Sequence, residues 1–226
     1  KSALIVLEGG DGSGKATQAE LLIKRLREEG ESAQLFSFPR YYDSRAGKLI
    51  GELLAGKHGD FMGMPPYVSS LPYILDRATA ASDVRRALSE GFVICDRYTP
   101  SNLAHQTAKL PKDEQSAFME FLEGLEYDDL HIPKPDLVVY LSVPTDISSE
   151  LISKKDQRGY LAEDGSSRDH AERNISHQDR TRAVYLKLAE ERPDWVVVEC
   201  APEGSMRSID EIHDDVWRIV QEHVSG

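Results

Sequence analysis

At 226 residues, 40% of them hydrophobic and 29% charged, the chain is long enough to bury a sizeable core and has the composition of a soluble globular protein. Its formal net charge of −12 excludes a general binder of nucleic acid or of anionic membranes, while leaving room for a locally basic pocket around a small phosphate. No apolar run approaches the length of a membrane span and the start lacks a signal-peptide pattern, so a cytoplasmic location is expected.

In chain order, residues 4–7 form a short apolar run of the kind found in buried strands. The run stops at Gly9-Gly10-Asp11-Gly12-Ser13-Gly14-Lys15, after which residues 19–26 carry apolar side chains at helical spacing. A strand that delivers such a loop onto a helix N-terminus builds an anion site from converging backbone N–H groups. Glycines allow that convergence without side-chain clashes, and the lysine reaches the terminal phosphates. The stretch therefore reads as a phosphate-binding loop. The usual Ser or Thr after the lysine, whose hydroxyl meets magnesium, is Ala16 here. Thr17 lies about 100° further round the helix and is no automatic substitute.

Strand-like runs follow at 33–38, 92–95, 137–141 and 195–198, separated by helical patterns at 47–54, 67–90, 112–126, 180–191 and 208–223. Short continuous apolar runs alternating with helices indicate an α/β fold with a parallel sheet covered on both faces. Cys95 and Cys200 sit inside apolar runs and read as buried thiols, without disulfide or zinc spacing. No repeat or linker divides the chain, so 1–226 reads as one domain. The segment 154–174 is rich in charge, Gly and Ser, and is either a surface loop or a lid.

Ligands of doubly wound sheets gather beyond the carboxyl ends of the strands. Four strand-like runs here end in polar clusters: the phosphate loop, FPRYYD, CDRYTPSN and LSVPTD. Asp96 is placed to hold magnesium, directly or through water, beside nucleotide phosphates. Arg97 is placed to clamp a second phosphate, the alternative for the two being a structural ion pair that fixes the strand end. Arg40, aimed by the Phe38-Pro39 turn, is either a second phosphate clamp or a solvated surface arginine.

The stretches EGGDGSGKATQ, FPRYYDSRAGKLIGELLAG, LDRA and DRYTPSN, in this order and spacing, resemble thymidylate kinases. The similarity runs over nearly the whole chain and includes PKPDLVVYL and an arginine-bearing lid. It implies a P-loop nucleoside monophosphate kinase fold: three α/β/α layers, a five-stranded parallel sheet and a mobile lid at about 154–174. It also implies transfer of the γ-phosphoryl of ATP to dTMP, giving dTDP and ADP for nucleotide biosynthesis, with Mg²⁺, in a homodimer.

Carried over by position, the resemblance assigns ATP to Gly10, Asp11, Gly12, Ser13, Gly14, Lys15, Ala16 and Thr17. Asp11 would also meet the 3′-hydroxyl of dTMP, and Arg40 and Arg97 would hold its phosphate. Tyr73 would stack on thymine and Arg77, on the same helix face, would bond a base carbonyl; ordinary surface packing is the alternative for that pair. Ser101 and Asn102 would lie beside the base. His105 stands where an aromatic residue near the sugar 2′ position is expected. Some thymidylate kinases carry an arginine in the phosphate loop where this chain has Gly12, so the catalytic cation is expected from the lid, from Arg158 or Arg168, with Arg173 further on. Glu172 would touch a magnesium or the acceptor sugar, or be solvated. Catalysis would rest on Lys15, Arg97, Asp96 and those lid arginines. Two other readings remain: a deoxynucleoside kinase, which needs a carboxylate base where this chain has Pro39-Arg40, and a non-catalytic nucleotide-binding protein, for which Ala16 would signal lost metal chemistry.

Overall fold

β1 (Leu4–Gly9) is buried at every position, as a central strand covered on both faces must be. The computed structural model describes residues 1–148 and 167–225, without the side chains of 167–174 and 225. β1 pairs in parallel with β3 (Phe92–Asp96) on one side and β4 (Leu137–Ser142) on the other. β2 (Ala33–Ser37) and β5 (Trp195–Glu199) complete the sheet in the order β2-β3-β1-β4-β5, all parallel. These are the five strands expected from the sequence, each within two residues of its expected ends.

Alternate side chains of a strand point to opposite faces, and the two faces build two cores. Leu4 and Val6 of β1 pack with Val84, Phe118, Leu122 and Tyr185. These belong to α4 (Leu71–Glu90), α6 (Lys112–Glu123) and α7 (Ser167–Glu191). Ile5 and Leu7 pack with Leu22, Leu26, Val216 and Val220, from α1 (Lys15–Glu28) and α8 (Ile209–Ser225). The result is the expected three-layer α/β/α arrangement.

Several helical expectations change in detail. The expected helix at 67–90 is divided into α3 (Pro66–Ser69) and α4, with a proline in the first turn of each. The expected helix at 112–126 is α-helical only to Glu123 and continues as a π-helical turn over Gly124–Asp129. α7 starts at Ser167, so residues 167–174 of the segment read as loop or lid are helical. The rest of that segment lies outside the described residues. α5 (Thr99–Thr107), which follows β3 directly, is a helix that the sequence pattern does not predict. It buries Thr99, Asn102, Gln106 and Thr107 beside Leu103 and Ala104, so polar side chains interrupt the face on which hydrophobic periodicity is read.

The fold places the site through register. Leu7 lies beside Asp96, which lies beside Ser37, and Gly9 lies beside Leu141. The strand ends are therefore nearly flush, and the loops after them meet where the strand order reverses, at β1. The loop after β2 is pressed onto α2 (Arg45–Leu54). Ser44 caps this helix, its Oγ accepting from Gly47 N–H at 2.7 Å. A Cβ on Gly47 would come within 2.0 Å of the Arg40 carbonyl oxygen, a backbone atom with nowhere to go. Gly47→Ala should destabilise the fold by about 1–3 kcal/mol, read as a lower urea midpoint at unchanged slope; an unchanged midpoint would mean that this loop shifts freely.

Candidate active site

Gly14, with φ 86° and ψ 13°, turns the chain from the phosphate loop into α1, and no side chain caps the helix. The first-turn N–H groups are thereby left to a ligand, at the positive end of the helix dipole. Lys15 folds over the loop, its Nζ donating to the Gly10 carbonyl at 2.8 Å and to Ser13 Oγ at 3.5 Å. Burial, reinforced by the Arg97 charge, pushes the Lys15 ammonium down to about 8, against the pull of Asp96, Asp11 and Glu8. Ala16 and Thr17 are exposed on the first turn.

At the end of β3, Asp96 Oδ1 is buried and has no hydrogen-bond partner among the described residues. Burial raises the Asp96 pKa above the ordinary carboxylate value, while Lys15 and Arg97 oppose the rise. The next residue, Arg97, has φ 62°, a left-handed conformation that costs energy for any side chain. It is held there by its own N–H on the Leu7 carbonyl (3.1 Å) and by Tyr98 N–H on Glu8 Oε1 (3.0 Å). The ion-pair alternative takes an unexpected form. Arg97 Nη2 donates to Asp11 Oδ1 at 2.8 Å, across the site, and Nη1 donates to Ser101 Oγ (3.3 Å) and contacts His105 Nε2 (3.4 Å).

Two carboxylates to which no motif in the sequence assigns a role organise these arginines. Glu8 is wholly buried and accepts from Tyr98 N–H, from Ser101 Oγ at 2.6 Å and from Tyr185 Oη at 2.7 Å. Burial raises its pKa, opposed by Arg97 and by those three hydrogen bonds. Asp76, buried on α4, accepts from Arg40 N–H (2.8 Å), Arg40 Nε (3.0 Å) and Ser44 Oγ (2.6 Å). Arg40 Nη2 also reaches the Asp76 carbonyl and Thr79 Oγ1, so this arginine is anchored to α4 and is no free surface side chain. A buried acid inside the LDRA stretch was the available signal for Asp76.

A cavity of about 290 Å³ opens beside the phosphate loop. Asp11 and Arg97 line it, as do the expected acceptor residues Tyr73, Arg77, Asn102 and His105. Arg40 does not line it, although Pro39 and Tyr41 on either side of it do. Ser101 lines the cavity but is engaged with Glu8 and Arg97, at the arginine end. Arg77 is buried and paired with Glu126 rather than lying on a helix surface. Gln106, Lys109 and His177 also line the cavity and carried no expectation. Arg158 lies outside the described residues, and Arg168, Glu172 and Arg173 lie on α7 with side chains not described.

The thymidylate kinase family model matches residues 7–216. The chain belongs to the thymidylate kinase family. Among curated relatives, the thymidylate kinase of Mycobacterium tuberculosis is 36% identical over 199 residues, covering 86% of this chain and 90% of that one. The probable thymidylate kinase of Pyrococcus abyssi is 33% identical over 225 residues, covering 98% and 97%. A solved thymidylate kinase from Candida albicans, 23% identical, shares the fold with a TM-score of 0.71 over 98% of this chain and 92% of its own. Among the described residues, no helix of this family member is long and apolar enough to cross a membrane.

Two histidine rings face each other in the cavity wall, His105 and His177, 5.9 Å apart. Burial, then the Lys109 and Arg180 charges, lowers His177 to about 4. Burial, then Arg97, holds His105 well below the usual histidine value. In the unfolded chain these rings take up protons near the ordinary value of 6.5, so the unfolded state binds more protons between that pH and the folded values. Stability should therefore fall as pH drops from 6.5 towards 4. His177→Leu should flatten this loss, read from urea midpoints at pH 5 and pH 7; an unaltered pH slope would assign the acid sensitivity to other groups.

Proposed function

We propose that the protein is a dTMP kinase, a single P-loop kinase domain that moves the γ-phosphoryl of ATP to dTMP and releases ADP and dTDP in the cytoplasm. One observation carries the reading. A single cavity has Arg97 and Asp11 at its phosphate-loop end and Arg77 with Asn102 in its wall, which suits a nucleotide lying with its phosphate towards the loop.

In this reading the backbone of Gly10, Asp11, Gly12, Ser13, Gly14 and Lys15 cradles the ATP phosphates, with Ala16 and Thr17 at the helix start. The Lys15 side chain turns from the Gly10 carbonyl to the phosphates. Asp11 meets the acceptor 3′-hydroxyl and Arg97 the acceptor phosphate, with Arg40 steering from its anchor on Asp76. Tyr73 lies against the thymine face, Arg77 donates to a base carbonyl, Asn102 accepts from N3–H, and His105 adjoins the sugar. The attacking atom is an oxygen of the dTMP phosphate. It is already anionic, so no protein base takes a proton. It bonds to the γ-phosphorus as the bond to the β–γ bridging oxygen breaks and ADP leaves with that electron pair. The charge spread over the transferred group is met by Lys15 and by Arg158 or Arg168 from the lid at about 154–174.

The donor set near the loop fits a hard cation bound chiefly to nucleotide oxygens and water. Asp96 Oδ1 is a buried, unpartnered carboxylate oxygen among the described residues, and no group of three or more possible metal ligands occurs there. Asp96 would hold Mg²⁺, which supplies neutralisation of phosphate charge when bound. With Ala16 after the lysine, no hydroxyl at that position joins it.

A coupled ADP-release assay across dTMP, dUMP, CMP, AMP and thymidine tests the reaction. ADP release should be fastest with dTMP and absent with thymidine. Release with thymidine but not dTMP would make the protein a deoxynucleoside kinase, and ATP binding without transfer to any acceptor would make it a non-catalytic binder.

The proposal extends to a homodimer. Val68, Leu71 and Leu75 follow one another at helical spacing along α3 and α4 and are 48%, 47% and 52% exposed. Tyr67 and Phe121, rings 5.0 Å apart, border them. A second copy would cover this patch. The protein should run as a dimer in light scattering, and Leu75→Glu should yield folded monomer; a monomeric unaltered protein would end this part of the reading.

A further inference from the structure

α6 buries Phe118, Met119 and Leu122, and the same helical spacing leads to Glu126 in the π-helical turn that follows. A carboxylate where the spacing asks for an apolar side chain requires a partner. Arg77 provides one in a two-pronged contact, Nε to Oε2 at 2.9 Å and Nη2 to Oε1 at 2.6 Å, each residue being 3% exposed. Burial opposes the arginine's charge, but the Glu126 carboxylate overcomes it and keeps the guanidinium protonated. Asn102 joins the pair: its Nδ2 donates to Glu126 Oε1 at 3.4 Å and to the Ser70 carbonyl at 3.3 Å. Two acceptors around one amide end fix which end is nitrogen.

Arg77 and Asn102 both line the acceptor cavity. Once Glu126 has taken its share, Arg77 is left with Nη1, a donor. Asn102 is left with Oδ1, a buried acceptor without a partner among the described residues. We infer that Glu126, which lies behind both residues, sets which pyrimidine edge the pocket accepts. It is a positioning residue, acting through Arg77 and Asn102 and touching no substrate. The remaining donor and acceptor complement a base that offers a 4-carbonyl beside N3–H. A 4-aminopyrimidine offers the reverse order, a donor beside an acceptor, and meets donor against donor and acceptor against acceptor. The amide cannot turn over to suit it, because Oδ1 would then face the Glu126 carboxylate and the Ser70 carbonyl. Mismatches of this kind, which leave buried polar groups unpaired, discriminate far more strongly than a methyl group does.

The inference rests on the dTMP kinase reading, and kinetics separate the two. The ratio of kcat/KM for dTMP to that for dCMP is measured in the unaltered protein, in Glu126→Gln, which places a donor among the partners, and in Glu126→Asp, which keeps the charge but withdraws it by one methylene. The unaltered protein should prefer dTMP strongly. In either folded variant that preference should fall at least about tenfold, as expected for a lost buried pairing, while KM for ATP is unchanged. A general loss of structure would lower both activities together and leave the ratio alone. A strong preference that survives in a folded variant overturns the inference and spares the kinase reading. An unaltered protein that does not phosphorylate dTMP overturns both. If disturbing the buried pair with Arg77 unfolds both variants, a crystal structure of the unaltered protein with dTMP decides. Arg77 still paired with Glu126, and Asn102 bridging Glu126 and base N3, upholds the inference; either residue turned away from Glu126 overturns it.

Discussion

One buried carboxylate, Glu8, holds the carboxyl edge of the sheet together. It stands at the end of the central strand and accepts from the backbone after β3, from Ser101 on α5 and from Tyr185 on α7. The end of β1, the turn from β3 into α5, and α7 are thereby tied at one point. Burial of that charge is costly and raises the Glu8 pKa, and Arg97 and three donors offset part of the cost. Arg97 depends on it most. Its left-handed backbone is sustained by the hydrogen bonds on either side of it, one of them to Glu8. Strain of this kind persists only where the surroundings over-determine it.

The same device recurs across the pocket. Each arginine expected to meet the acceptor is held by a carboxylate from another element: Arg97 by Asp11, Arg40 by Asp76, Arg77 by Glu126. A guanidinium fixed this way loses little conformational freedom when a ligand arrives, which is the substance of pre-organisation. Each of these guanidinium groups is fixed in direction by an acid that already matches its charge, so the site gains aimed donors without gaining net positive charge.

The strands were legible because each is a continuous apolar run, and the phosphate loop because its glycines and lysine occur between a strand and a helix. α5 was not legible, since a helix that turns Thr99, Asn102, Gln106 and Thr107 inward beside Leu103 and Ala104 has an apolar stripe too interrupted to read. Glu126 is not legible for a related reason. A glutamate at the end of a helical pattern looks solvated until the tertiary structure shows it 3% exposed.

What the sequence determined by itself was the parallel α/β architecture, the loop that ends β1, the family, and the residues grouped at the strand ends. These follow from local chemistry: apolar runs, glycine spacing and motif order. Only the tertiary structure decided which acid meets which arginine. Asp11 and Arg97 are 86 positions apart, and Arg77 and Glu126 are 49 apart. Such pairings arise when sheet register and helix packing bring distant segments together, and no local pattern in the chain encodes them.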